Sequence, residues 1–228
     1  MILFRKAVLI IHGFAGGTYD EENLANCLEK SSKLDVYSFT LPGHEKYSFK
    51  TVKYQKWIAE SENQLKKLID YGYKDIYVVG HSMGGVIATY LASKYKEVKK
   101  LVLAAPAFTY LTFGENSNTL DKVKSAFAAI RENDKDEILT RFLKLPLTSI
   151  NEFVKLINTY SDSYKKVSIP ILILHGKKDT IVPVESSINV YEKLKSKNKK
   201  LILLDNESHD LFQNDVSPAI SCVENFLK

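Results

Sequence analysis

Residues 80–85 read GHSMGG, which places three of the chain's ten glycines beside one serine. The stretch follows the apolar run KDIYVVG (74–80) and precedes a helical pattern over 83–95. It therefore predicts a sharp turn from strand to helix with Ser82 at its apex. At such a turn the two backbones approach closely and the serine commonly adopts positive φ, so glycine is needed on both sides of the His-Ser-Met triplet.

The rest of the chain alternates short apolar runs with amphipathic stretches, which is typical of βαβ units and a parallel sheet. Several runs are apolar nearly throughout, as expected for strands that helices cover on both faces. We also consider a short edge strand over residues 1–4. The predicted strands are AVLIIHG (7–13), LDVYSFT (34–40), KDIYVVG (74–80), VKKLVLAA (98–105), PILILHG (170–176) and KLILLDN (200–206), and the predicted helices are 54–70, 83–95, 185–195 and 215–227 with Pro218 in its first turn.

One interval breaks this alternation. About sixty residues separate the strand ending at Ala105 from the strand beginning near Ile169, far more than an ordinary connection needs. We therefore predict an α/β core of residues 1–106 and 169–228 with a helical cap inserted over 107–168. The charges of the insertion nearly cancel, which favours a lid over an apolar pocket. Helical patterns in the cap lie at 119–131, 135–143 and 149–159.

Composition excludes several classes of protein. The 228 residues are 45% apolar and 26% charged, near the globular average, which argues against a disordered or fibrous chain. No run approaches the roughly 18 apolar residues that cross a bilayer. The start of the chain carries charges inside its apolar stretch and resembles a strand more than a signal peptide, so we expect a cytoplasmic protein without an integral membrane segment.

The charge pattern and the cysteine content indicate which partners and cofactors to expect. The net charge of +5 comes with lysine clusters at 94–100 and 195–200, and no nucleic-acid motif accompanies them, so we expect no nucleic-acid partner. Cys27 and Cys222 match neither a disulfide framework nor a metal site. We expect reduced thiols, no metal and no organic cofactor, and the sequence leaves the oligomeric state open.

The hydroxyl of Ser82 becomes a nucleophile only when a base accepts its proton and an acid orients that base. In a parallel α/β sheet such groups lie beyond the carboxyl ends of the strands. Asp179 follows the strand 170–176, and His209 follows the strand 200–206. We therefore select Ser82, Asp179 and His209 as the candidate catalytic residues.

Each choice has rivals. Asp205 lies closer to the last strand, but it is only four residues from His209 and is better suited to bracing that loop. Asp210 is adjacent to the histidine, and consecutive side chains diverge. Among the other histidines, we expect structural roles for His81 and His175, whereas His12 and His44 lie in loops near the site.

An ester carbonyl gains negative charge on oxygen as it becomes tetrahedral, and preorganised N–H groups stabilise that state. We expect one donor to be the amide of Met83, because the first N–H groups of a helix are free. We expect the other to be the amide of Phe14, in the loop that follows the first long strand. The alternative for this loop is a simple strand-ending turn.

With these motifs assembled, the chain resembles the α/β-hydrolase superfamily, and especially bacterial carboxylesterases and monoacylglycerol-lipase-type serine hydrolases. The resemblance covers nearly the whole length, because HGFAGG, LPGHE, GHSMGG, GKKDTIVP and ESHDLF occur in the family's order. It implies an α/β fold with a mostly parallel central sheet flanked by helices. It also implies Ser82 as nucleophile, Asp179 as orienting acid, His209 as base, and Phe14 and Met83 as backbone oxyanion donors.

The resemblance implies a serine carboxylesterase that acts through an acyl-enzyme on small esters with a short to medium apolar portion, monoacylglycerols among them. A thioesterase or an esterase of cinnamoyl- or feruloyl-type aromatic acids would use the same residues, and a binding protein that retains the pocket is a further alternative. Two departures from the family are visible. The strand carrying HGF lies almost at the beginning of the sequence, and the cap matches in length and character only.

Overall fold

The computed structural model describes residues 5–45, 48–108 and 145–228. In these ranges eight strands and six α-helices follow one another along the chain. The strands are β1 (Lys6–Ile11), β2 (Leu34–Ser38), β3 (His44–Glu45), β4 (Ser48–Phe49), β5 (Ile76–His81), β6 (Val98–Ala104), β7 (Ile171–Gly176) and β8 (Lys199–Leu204). The helices are α1 (Glu22–Glu29), α2 (Tyr54–Asp70), α3 (Met83–Lys94), α4 (Leu147–Tyr160), α5 (Val184–Lys193) and α6 (Pro218–Leu227).

Six strands form one sheet in the order β2-β1-β5-β6-β7-β8, and every described pairing within it is parallel. The strands β3 and β4 form a separate antiparallel hairpin of two residues each. The chain passes from β1 outward to β2 and then returns to place β5 on the other side of β1. The loops that leave β1 and β5 therefore diverge at a crevice, where open α/β sheets bind their ligands.

The sheet separates two apolar layers. Along β1, Ala7, Leu9 and Ile11 face one layer and Val8 and Ile10 face the other. The first layer contains side chains from α2, α3, α4 and α5, and the second contains side chains from α1 and α6. Burial on both faces explains why the strands are apolar nearly throughout rather than alternating.

The helix α3 lies closest to the sheet. Its backbone contacts the end of β1 so tightly that a Cβ atom added to Gly84 would collide with the carbonyl oxygens of Ile11 and His12. A Cβ atom on Gly80 would collide with the carbonyl of Gly84. The two glycines thus permit the close approach of strand and helix that the sequence predicts.

The strands and helices predicted outside the long insertion are found within a few residues of their expected limits. Ser217 caps α6 by accepting a hydrogen bond from Ala219, with Pro218 as the first helical residue. The helix α1 and the hairpin of β3 and β4 are not among the predicted elements. The expected edge strand at 1–4 and the expected helices at 119–131 and 135–143 lie outside the described residues.

The predicted helix at 149–159 corresponds to α4, and a 3-10 helix follows it over Ser161–Lys166. The helix α4 contacts both α2 and α3. The assignment of 107–168 as a cap remains a prediction. Within residues 5–45, 48–108 and 145–228, no helix combines the length and apolar character that crossing a membrane requires.

The contact at Gly84 predicts a difference between two neighbouring glycine substitutions. In Gly84→Ala the new methyl group meets fixed backbone, whereas in Gly85→Ala it lies 3.0 Å from the Cβ atom of Pro106. We expect Gly84→Ala to lower the free energy of unfolding by about 1 to 3 kcal/mol more than Gly85→Ala. Urea denaturation of the two variants measures this difference, and equal stabilities would contradict it.

Candidate active site

Ser82 occupies the turn between β5 and α3 with φ of 53° and ψ of −116°, a strained backbone conformation. The turn is held from both sides. The Ser82 N–H donates to the carbonyl of Ala104 at 2.8 Å, and the Ser82 carbonyl accepts from the N–H groups of Gly85 and Ala107 at 3.0 and 3.1 Å. The positive φ expected at the serine is therefore present, and neighbouring β6 supports it.

Asp179 lies in the loop between β7 and α5, and its side chain is fully buried. One carboxylate oxygen, Oδ1, accepts hydrogen bonds from the backbone N–H groups of Ile181 and Val182, both at 2.8 Å. The other oxygen, Oδ2, lies 2.7 Å from Nδ1 of His209. The loop thus turns around its own carboxylate and aims the remaining oxygen at the histidine.

His209 follows β8 and is 2% exposed. Because the Asp179 carboxylate is an acceptor, Nδ1 of His209 carries the proton, which leaves Nε2 able to accept one. The His209 carbonyl accepts a hydrogen bond from Nε2 of His81 at 3.0 Å. Since His81 directly precedes Ser82, the structure brings the loop of His209 to the end of β5.

The loop of His209 also crosses the end of β7 at close range. A Cβ atom added to Gly176 would collide with the carbonyl oxygens of Glu207 and Ser208. The sequence HGKKD therefore has glycine at the point where the two loops meet. Together, these contacts bring the candidates from β5, β7 and β8 to one edge of the sheet.

Ionisation of Asp179 is controlled by opposing effects. Burial by itself would raise the pKa of its carboxyl, but the charge of His209 and hydrogen bonds from His175 and His209 outweigh burial and hold the pKa well below its usual range. Asp179 is consequently an anion across the physiological range. As an anion it can orient His209 and stabilise the imidazolium without taking the proton itself.

Sequence reasoning missed a second histidine on this carboxylate. His175, at the end of β7, is fully buried, and its Nε2 lies 3.1 Å from Oδ2 of Asp179. The same nitrogen lies 2.9 Å from the Val182 carbonyl, and Nδ1 lies 2.7 Å from Oγ of Ser187. The motif HGKKD contains the signal, because residues four apart across a tight strand-ending loop can meet.

Sequence reasoning also missed Glu21, which precedes α1 and is 1% exposed. Its Oε1 lies 3.0 Å from Nδ1 of His81, and its Oε2 is buried without a hydrogen-bond partner among the described residues. Burial raises the pKa of Glu21 to about 7. Burial alone would lower the pKa of His81, but Glu21 outweighs it and raises that pKa to about 9. The pair therefore retains a proton in the core.

The loop after β1 lies against the turn of Ser82, since a Cβ atom on Gly13 would be 3.2 Å from Cβ of Ser82. The ring of Phe14 stacks on Phe153 of α4 with centroids 4.9 Å apart and planes inclined by 9°. Trp57 contacts the same ring at 5.8 Å. Phe14 thus connects the turn of Ser82 to the aromatic side chains of α2 and α4.

The two histidines expected near the site, His12 and His44, lie in and against the loop that follows β1. Nε2 of His12 accepts a hydrogen bond from the Leu41 N–H at 2.9 Å, which joins the HGF and LPGHE segments. His44, expected in a loop, begins β3 and contacts the ring of Phe14 at 5.6 Å. Burial lowers the pKa of His44 to about 4, so its imidazole is neutral near pH 7.

The rival acid Asp205 is on the surface. Its side chain is 75% exposed and pairs with Lys177 at 2.6 Å, consistent with a role in bracing the loop. Among the residues that the structure describes, no group of three or more His, Cys, Asp or Glu side chains could hold a metal ion.

Residues 6–134 match a family described as the alpha/beta hydrolase fold, which is more than half of the sequence. The chain belongs to this family. Residues 110–216 match a second family, described as serine aminopeptidase S33. The α/β-hydrolase fold expected from the motifs is thereby confirmed.

Individual relatives are distant but cover most of this hydrolase. A thermostable monoacylglycerol lipase of a Bacillus species is 25% identical over 89% of this chain and 82% of its own length. A carboxylesterase of Bacillus subtilis is 22% identical over 92% and 90% of the two chains. The monoacylglycerol lipase of Paleococcus ferrophilus has the same fold, with a TM-score of 0.72, 19% identity, and coverage of 97% of this chain and 93% of its own.

The Glu21–His81 pair predicts how stability of this hydrolase depends on pH. In the unfolded chain the pKa of His81 returns to its ordinary value of 6.5. The folded state therefore binds more protons than the unfolded state between pH 6.5 and about 9. The free energy of unfolding should therefore fall as pH rises through this window. In Glu21→Gln the imidazole has no carboxylate partner, so this part of the pH dependence should disappear.

Urea denaturation at pH 7 and pH 9 tests the pair. We expect the wild-type protein to lose about 1 to 3 kcal/mol more than Glu21→Gln between these values. The matched control is Glu22→Gln, which removes the exposed carboxylate next in sequence and should follow the wild type. Parallel curves for wild type and Glu21→Gln would show that the pair does not retain a proton.

Proposed function

We propose that the protein is a serine hydrolase of carboxylic esters, with Ser82 as nucleophile, His209 as base and Asp179 as orienting acid. The observation that carries the proposal is the 2.7 Å contact between Nδ1 of His209 and Oδ2 of the buried Asp179, at the sheet edge where Ser82 occupies its strained turn. This arrangement leaves Nε2 of His209 to accept the proton of a hydroxyl. The named relatives support the same class of reaction.

The reaction proceeds in two steps. Nε2 of His209 takes the proton of Ser82 as Oγ bonds to the ester carbonyl carbon, and the alcohol leaves with that proton as the acyl-enzyme forms. A water molecule then gives a proton to His209 and attacks the acyl-enzyme, and the acid leaves as Ser82 regains its proton. Asp179 stabilises the imidazolium in both steps without becoming protonated.

The amides of Met83 and Phe14 are proposed to stabilise the oxyanion. Met83 is the first residue of α3, and the first N–H groups of a helix have no intrahelical acceptor. Phe14 lies one residue beyond Gly13, which contacts the turn of Ser82. Both groups belong to backbone that is already packed, so they need no reorganisation when charge develops.

The proposed substrates are small esters with an apolar portion of short to medium length, including monoacylglycerols. The support is the aromatic surface formed by Phe14, Phe153 and Trp57 beside the proposed oxyanion loop. Residues 107–168 are proposed to complete this surface as a helical cap. We further propose a cytoplasmic location, which the two free cysteines, Cys27 and Cys222, support.

Replacement of the nucleophile provides the first test. We expect Ser82→Ala to lower kcat for a p-nitrophenyl ester by roughly 10³-fold or more, because no hydroxyl remains to form the acyl-enzyme. Its thermal unfolding should stay close to that of the wild type. A fluorophosphonate probe should label the wild type and not the variant. A loss of less than tenfold, or no labelling of folded wild-type protein, would contradict the assignment.

The substrate class needs a separate test with p-nitrophenyl, glyceryl, cinnamoyl and thioester substrates of matched chain length. We expect the highest kcat/KM for short- to medium-chain alkyl and glyceryl esters, because the aromatic surface favours apolar acyl groups and two of the relatives are a monoacylglycerol lipase and a carboxylesterase. A clear preference for thioesters or for cinnamoyl esters would identify the thioesterase or the aromatic-acid esterase instead.

A further inference from the structure

We propose that His175 is a positioning residue, which shares its Nε2–H between Asp179 and Val182 and so holds the Asp179 carboxylate in the orientation that His209 needs. The inference rests on the proposed function, in which Asp179 orients the base. His175 itself contacts neither Ser82 nor the ring of His209 in any hydrogen bond of the described residues. Its action on the reaction passes through Asp179.

Without His175, Oδ1 of the Asp179 carboxylate would have two hydrogen-bond donors and Oδ2 would have one. Two backbone N–H groups bind Oδ1, whereas His209 and His175 bind Oδ2 at 2.7 and 3.1 Å. With His209 alone on Oδ2, the carboxylate could rotate about its Cβ–Cγ bond as the imidazole moves during turnover. A second donor on β7 opposes that rotation, because Oδ2 is then bound by side chains from two separate segments of the chain.

His175 is itself fixed in one tautomer. Its Nε2 faces the Asp179 carboxylate and the Val182 carbonyl, which are both acceptors, so this nitrogen carries a proton. Its Nδ1 lies 2.7 Å from the hydroxyl of Ser187 in α5, which can donate to it. The imidazole therefore joins the end of β7, the loop of Asp179 and the start of α5.

The contact between His175 and Asp179 also changes the strength with which the carboxylate attracts His209. A donor on Oδ2 withdraws electron density from the oxygen that faces His209, so it weakens the attraction between Asp179 and a protonated His209. Removal of that donor should strengthen the attraction and therefore change the acid limb of the pH profile of kcat. A residue that only filled space would not produce this effect.

Several ionisable groups surround Asp179 and His209. The Asp179 carboxylate binds two imidazoles, those of His175 and His209. Behind the backbone of His209 lie His81 and its partner Glu21, and Asp210 acts on both electrostatically. Substitution at position 175 removes only the imidazole of His175 among these groups, so a change in pH dependence reports on the contact between His175 and Asp179.

Two amide substitutions at His175 distinguish the effect of its Nε2–H donor from the effect of its packing. In His175→Gln the side-chain amide reaches the place of Nε2 and can donate to Asp179 and Val182. In His175→Asn the amide reaches only the place of Nδ1, so the donor to Oδ2 is lost. Ser187→Ala is a further control, because it removes the partner of Nδ1 and leaves the Nε2–H in place.

The measurements are the pH profile of kcat for an ester and the downfield proton resonance of the His209 Nδ1–H. We expect His175→Asn to lower kcat about tenfold and to move the acid limb upward by about half a pH unit, with the resonance displaced downfield. The acid limb and resonance of His175→Gln and Ser187→Ala should stay near those of the wild type.

The proposal is overturned if the Gln and Asn variants behave alike, or if the acid limb and the resonance of His175→Asn coincide with those of the wild type. The resonance reports the Asp179–His209 hydrogen bond without turnover. It therefore tests His175 even if Ser82→Ala leaves ester hydrolysis unchanged, which would contradict the proposed function and not the contact.

Discussion

The hydrogen bond between Asp179 and His209 is the interaction on which the site depends, and it exists because a buried anion needs donors in place of water. The carboxylate draws Ile181, Val182 and His209 around itself, and this folds the loop after β7 and anchors the loop after β8. Its low pKa follows from the same contacts. Orientation of the base and burial of the acid therefore have a common cause.

A second buried carboxylate acts on the same histidine from the other side. Asp179 binds the ring of His209, whereas His81, held by Glu21, binds its backbone carbonyl. The direction of the ring and the place of the main chain are thus set by two separate acid–imidazole pairs. The Glu21–His81 pair is neutral overall because it retains a proton, whereas the charge of Asp179 is compensated by the N–H donors of Ile181, Val182 and His209.

The elements that could be predicted are those with a strong local signal. The strands of the main sheet are continuous apolar runs, and the GHSMGG stretch is interpretable because its glycines permit a specific close approach. The helix α1 has only Leu24 and Leu28 as fully buried apolar residues in a polar sequence, so its pattern is weak. Glu21 was missed because its partner His81 is defined by a three-dimensional contact that spacing does not reveal, whereas the contact of His175 depends on how tightly the loop that leads to Asp179 turns.

Phe14 connects the proposed chemistry to the proposed choice of substrate. Its amide belongs to the loop beside Ser82, while its ring stacks on Phe153 of α4, a helix that also contacts α2 and α3. Because ring and amide belong to one residue, the packing of α4 helps to determine where the proposed oxyanion donor lies. Changes in the aromatic surface would therefore alter the rate of acyl transfer as well as binding, since a donor is effective only when it is aligned before charge develops.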